Sequence, residues 1–307
     1  MEIVDSLMVK IALIGLLGIG AQWIAWRTGR PAIALMLIVG IIAGPVLGII
    51  DPERDFGALQ EPIIKLAVAV ILFEGGLSLN FRELRQAGGA VTTMVLIAGP
   101  IAWVLGTAAA HYGAGLSWEI SALLGGIMIV TGPTVIGPML RTLRVPARVR
   151  NILKWEGIVN DPIGALLAVG IYAYITYEGA NANIAVISMD VLAASFIAGL
   201  IGAGLGFAVT WLFPRGLVPE YLKAPFLLVT VIAGFVIADL IKHETGLITV
   251  TVMGIVMGNR QIYSSQALYR FKEDLAVLLI SGVFIILSAT LDWETVQQFR
   301  PQFVIFL

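Results

Sequence analysis

Three carboxylates stand in otherwise apolar sequence: Glu74 in AVAVILFEGGL, and Glu156 and Asp161 in WEGIVNDPIGALLAV. A carboxylate at the centre of a membrane-spanning helix costs at least about 2.5 kcal/mol, so such residues face the bundle interior and mark ion or proton paths. The competing role is a buried ion pair that only holds helices together. It weighs most for Glu156, which has Lys154 and the arginines 141, 144, 148 and 150 close by in sequence.

Helical spacing groups these residues. Glu156 and Asn160 are four apart and share a face, while Gly157 and Asp161 share the adjacent one. Gly157 has no side chain beside Asp161, which leaves room for an ion or water. Pro162 donates no backbone hydrogen bond, which frees a carbonyl one turn earlier, near Ile158, as a cation ligand or as the mark of a kink. Upstream lies TGPTVIGP, residues 131–138. Gly132, Pro133, Gly137 and Pro138 make a poor helix interior, at roughly 1 kcal/mol per Gly and 3 per Pro. In lipid, broken backbone survives only where protein or a water-lined cavity satisfies it. Half-helix ends at the midplane serve transporters as ion sites, and Thr131 and Thr134 add hydroxyl oxygens. Such oxygen-rich ligands suit a hard monovalent cation. A single carboxylate that holds either a proton or Na⁺ makes the two compete, and competition gives exchange if the site alternates between the membrane faces.

The elements that must carry these groups follow from composition. The chain is 59% hydrophobic and 13% charged, with mean hydropathy +0.95, against about 25% charged in soluble domains. Apolar runs long enough to span a bilayer recur throughout. They predict about ten spanning helices, near 7–26, 31–50, 62–79, 88–111, 119–140, 147–177, 188–213, 224–242, 245–258 and 271–290. The fifth carries the break at about 131–138, and an eleventh helix begins after Pro301, so the C-terminus looks cut inside it. The first run reads as a retained helix rather than a signal peptide, because Glu2 and Asp5 precede it and no small-residue cleavage site follows. No soluble domain is expected within 1–307, which reads as a single transmembrane domain. Lys and Arg concentrate in alternate loops (Arg27/Arg30, Arg82/Arg85, Arg141–Arg150, Arg215/Lys223, Arg260–Lys272), which predicts a cytoplasmic basic side and an N-terminus outside. Asp239 and Glu244, near the outer end of the eighth helix, read as ordinary interfacial acids, with the lining of an entry funnel as the alternative. A net charge of −1 gives no sign of nucleic-acid binding, and the absence of Cys with only two His argues against disulfides, redox chemistry or a transition-metal centre.

On these residues the chain resembles the monovalent cation:proton antiporters of the NhaP and sodium/hydrogen exchanger type. The matching stretches are FEGGLSLNFRELR (73–85), TGPTVIGPMLRTLRVPARVRNIL (131–153), EGIVNDPIGAL (156–166) and GLITVTVMGIVMGNR (246–260). The resemblance implies an all-α polytopic membrane protein with the NhaA-like inverted-repeat antiporter fold, its second repeat incomplete here. It also implies a homodimer in the inner (plasma) membrane, in which a core domain moves against a dimerisation domain. It implies secondary active antiport of Na⁺, or of K⁺ or Li⁺, against H⁺, with no cofactor and no enzymatic activity. Asp161 would be the exchanging carboxylate, Glu74 and Thr131 further cation ligands, and Asn160, Glu156, Gly157, Gly132, Pro133 and Thr134 the groups that shape the site. Asn160 in place of a second Asp resembles the electroneutral branch. Gly132 and Gly157 stand where the family often has Asp and Ser, so two oxygen groups are missing and a retained water or a larger ion fits. A proton-coupled carrier of an organic substrate or a cation channel is the alternative.

Overall fold

The computed structural model describes residues 6–79, 81, 89–130, 140, 145–177, 184–260 and 266–291. Every regular element among them is helical. In chain order these are α1 (Leu7–Thr28), α2 (Ala32–Ile41), α3 (Pro52–Phe56), α4 (Gln60–Leu77), α5 (Gly99–Ala114), α6 (Trp118–Met128), α7 (Ala147–Tyr177), α8 (Ile184–Leu212), α9 (Glu220–Asp239), α10 (Thr245–Gly258) and α11 (Gln266–Ala289). Among the described residues five stretches are long and apolar enough to cross a membrane: Leu7–Thr28, Pro52–Leu77, Gly89–Ala114, Met189–Leu212 and Glu220–Asp239. The 31 residues of α7 give ample length, about 46 Å at 1.5 Å per residue, but polar side chains interrupt its apolar run.

Several ends and irregularities have local causes. The N-terminus of α6 is capped by Ser117, whose Oγ accepts from the Ile120 N–H at 3.4 Å. Gly29 and Gly115 close α1 and α5 in the left-handed conformation, at φ 67° and 70°. The second span does not continue as α-helix to residue 50: at Gly44-Pro45 it widens into a π-helical turn, Ile42–Val46, because Pro45 lacks the donor the α-ladder needs. A similar turn, Met94–Ala98, precedes Gly99-Pro100 at the start of α5.

Three apolar clusters hold the helices. The first gathers Phe73 of α4, Val209 of α8, Val231 and Phe235 of α9, and Val250 and Met253 of α10. At its centre α4 and α10 approach until backbones touch: a Cβ on Gly76 would lie 2.6 Å from the Thr251 carbonyl oxygen, and one on Gly254 would lie 2.9 Å from Leu77 N. Small residues permit this in lipid, where close van der Waals packing rather than water exclusion drives association. The second cluster joins α1, α2 and α11 through Ile14, Met36 and Ile285. Beside it, Lys10 is 1% exposed, hydrogen-bonds the Ile49 carbonyl and pairs with Asp55 at 3.3 Å. The third, smaller cluster brings Trp155 and Ile158 of α7 against Leu79 and Val91. Meanwhile α7 packs extensively on α6, and α6 on α5, whereas it meets α4, α8 and α10 more sparingly.

Candidate functional site

The expected site residues of α7 lie together inside the protein. Asn160 and Glu156 are 4% and 6% exposed, and Asn160 Nδ2 donates to Glu156 Oε1 at 2.8 Å. Helical spacing alone brings them together, so the sequence expectation of a shared face holds. Gly157 and Pro162 are buried, and Asp161 is half-buried. No hydrogen bond or ion pair joins Asp161 to another described residue.

Gly164 places Asp161 relative to the break. A Cβ at Gly164 would collide with the Val130 side chain and lie 3.4 Å from the Gly126 carbonyl oxygen. Gly164 is three residues after Asp161, on the same face, and Val130 immediately precedes Thr131. Asp161 thus lies about one turn, ~5 Å along α7, from the residue that meets Val130, just past the end of α6. That helix stops at Met128, short of the predicted interruption. Thr131, Gly132, Pro133 and Thr134 themselves lie outside the described residues.

Glu74 is half-buried in the last turn of α4. Two contacts fix the depth of α4 against α7. Lys154 Nζ donates to the Ser78 carbonyl at 2.6 Å, and Ala165 packs on the cluster that includes Phe73. From the Lys154–Ser78 contact Glu74 is four residues back along α4, while Asp161 is seven residues on along α7. At 1.5 Å per residue on antiparallel helices their depths differ by about 4.5 Å, or one turn. Along the bundle axis Glu74 thus falls between Glu156 and Asp161.

Three features were not anticipated. The Lys154–Ser78 contact joins residues 76 apart in sequence, and no periodicity signals it. Asn259, after α10, clamps the exit of α4, donating from Nδ2 to the Leu79 carbonyl at 3.0 Å and accepting from the Phe81 N–H at 2.5 Å. At the other end of α4 lies a cavity of about 470 Å³ lined by Gln60, Glu61, Lys65, Glu244 and others. Lys65 there pairs with Glu61 at 2.9 Å and Glu244 at 3.3 Å. Glu244 lines this cavity, as the funnel alternative has it. Asp239 Oδ1 caps the turn beside it by accepting from the Glu244 N–H at 2.7 Å.

Comparison with known proteins gives this arrangement its setting. The chain is 26% identical over 310 residues to the K(+)/H(+) antiporter NhaP of Alkalimonas amylolytica, covering 95% of this chain and 52% of that protein. It is 23% identical to the Na(+)/H(+) antiporter NhaS2 of a Synechocystis species, covering 86% and 46%. It therefore spans about half the length of these curated relatives. Its fold superposes on the solved sodium proton antiporter MjNhaP1 of Methanocaldococcus jannaschii with a TM-score of 0.83, at 21% identity, covering 95% of this chain and 72% of that one. The all-α polytopic membrane architecture expected from the sequence is the fold found. Residues 11–307 match the profile of the family described as the sodium/hydrogen exchanger, transmembrane, and the chain belongs to that family.

Proposed function

We propose that the protein of which this chain is part is a secondary transporter that exchanges a monovalent cation for H⁺, with Asp161 as the carboxylate both ions contest. The observation that carries the reading is the half-buried Asp161, set beside the buried Asn160–Glu156 pair and about one turn along α7 from the residue that meets Val130. Family membership supplies the reaction class. Glu74 is a second cation ligand from α4. Thr131 and the Gly132-Pro133-Thr134 break, which follow Val130 in the sequence, supply further oxygens. Glu156, Asn160 and Gly157 set the shape and field around Asp161.

One carboxylate able to change charge makes the cycle electroneutral. With the cation bound Asp161 is ionised, with the proton bound it is neutral, and each loaded form crosses with the same net charge. Alternating access then needs no cofactor and no covalent step. Na⁺ is the first candidate, with K⁺ and Li⁺ next, and both Na(+)/H(+) and K(+)/H(+) antiporters stand among the relatives. The chain reads as one transmembrane domain of a homodimer in the inner membrane, with its basic loops cytoplasmic and its N-terminus outside.

The test uses full-length protein in proteoliposomes with a pH-reporting dye inside. Na⁺, K⁺ and Li⁺ are added in turn. Proton efflux driven by at least one of them, and insensitive to a clamped membrane potential, is expected. Proton movement driven only by an organic cation or acid, or conductive flux without counter-transport, would replace this reading with a carrier of an organic substrate or a channel.

A further inference from the structure

The exit of α4 is held from two sides by unlike contacts. On the α10 side the hold is rigid: backbones interlock at Gly76 and Gly254, and Asn259 grips both the Leu79 carbonyl and the Phe81 N–H. On the α7 side the described contacts run through side chains, with Trp155 and Ile158 packed on Leu79. Lys154 donates to the carbonyl of Ser78, which caps α4, and Trp155 stacks on Phe81 with ring centroids 5.9 Å apart. A helix C-terminus presents unpaired carbonyls and a partial negative charge, so it attracts an ammonium strongly but without a fixed geometry. Trp155 is 4% exposed, yet its Nε1–H has no hydrogen-bond partner among the described residues. Buried donors are rarely left so, and one that is calls for an explanation.

Position supplies one. Lys154 and Trp155 lie about two turns before Asp161 on the same continuous helix. Any shift of Asp161 relative to the α4–α10 pair must therefore pass through this contact. We propose that Lys154 and Trp155 form a releasable latch on the exit of α4, closed in this conformation and opened when α7 carries its ion to the other side. The unpartnered indole N–H gives the open state something to gain, because a shift of α7 lets the donor find an acceptor or water. The latch rests on the antiport reading above, since without a transport cycle α7 has no reason to move.

The absence of cysteine from this chain makes the test clean. Phe81→Cys and Trp155→Cys are introduced together in full-length protein carrying no other cysteine, and the pair is bridged with a short bifunctional thiosulfonate that a reductant releases. Bridged protein should lose exchange by about tenfold or more, because a conformational step then limits turnover, and should recover on reduction. Bridged protein that exchanges as fast as reduced protein overturns the latch, since the contact is then static. If neither the wild type nor the reduced pair exchanges any cation, the antiport reading fails and the latch with it.

Two single substitutions test the idea without the pair. In each, a lone cysteine at position 81 reports opening through its rate of thiol labelling. Lys154→Met removes the hold on Ser78 and should raise labelling. Trp155→Phe keeps the ring but removes the stranded N–H, favours the closed form and should lower labelling, by roughly fivefold for one unsatisfied buried donor. Opposite signs support the latch. Equal signs, or no change in either protein while both remain folded, overturn it.

Discussion

Asn160→Leu should separate what shapes the site from what holds the protein together. The substitution removes the 2.8 Å hydrogen bond to Glu156 and keeps the branched side-chain shape. Two magnitudes compete. A hydrogen bond to a charged group is worth about 1.5–3 kcal/mol when its loss leaves the charge buried. Hydrogen bonds measured within membrane proteins average nearer 0.6 kcal/mol, because the unfolded state in the bilayer also finds partners. The second argument governs stability here with special force. Both residues lie on α7, four apart, so a helix detached from its neighbours keeps the bond. The predicted fall in stability is therefore under about 1 kcal/mol, or no more than ~4 °C in melting temperature. The cost to exchange has no such compensation, because the folded site loses the amide that helps orient Glu156. A loss of about 1.5 kcal/mol or more there slows exchange by roughly tenfold or greater. The assays are thermal unfolding in detergent, followed by intrinsic fluorescence, and cation-driven proton flux in vesicles. Exchange within twofold of wild type, or a stability loss above about 2 kcal/mol, would refute the reasoning.

Glu74→Gln should raise the apparent Michaelis constant for the cation with little change in maximal rate or thermal stability, and an unchanged constant in a flux titration would remove Glu74 from the ligand set. Gly254→Ala drives a Cβ into the exit of α4, 2.9 Å from Leu77 N, and should cost about 1–3 kcal/mol in a detergent unfolding assay. Lys10→Met strands the Asp55 carboxylate, whose side chain is 6% exposed, and should cost about 3 kcal/mol, the low end for a broken buried pair because Arg54 still lies 3.3 Å away. The double replacement Lys10→Met/Asp55→Leu should recover most of that loss in the same assay.

How much of this was legible in the sequence depends on range. Local patterns read well. The α7 start at residue 147 coincides with the expected one, and the i,i+4 pairing of Glu156 with Asn160 follows from helical pitch alone. The π-helical turns at Ile42–Val46 and Met94–Ala98 escaped a reading by hydropathy, because they alter the hydrogen-bond ladder without altering the apolar run. Glycine content suggested close packing, but not that Gly76 meets Thr251 while Gly254 meets Phe73 and Leu77. The Lys154–Ser78 carbonyl contact was invisible for a stricter reason: its acceptor is backbone, which every residue possesses. Glu244 looked like a surface acid, and only the fold of the α9–α10 turn brings it to Lys65.

The most direct test of competition at Asp161 is the pH dependence of cation-driven exchange in proteoliposomes, with Asp161→Asn alongside. If proton and cation contest one carboxylate, cation binding must release a proton. The apparent Michaelis constant should then rise as pH falls, approaching about tenfold per unit on the acid side, while the maximal rate at saturating cation stays level. Asp161→Asn should show no exchange at any pH. A Michaelis constant indifferent to pH, or appreciable exchange by Asp161→Asn, would contradict the account.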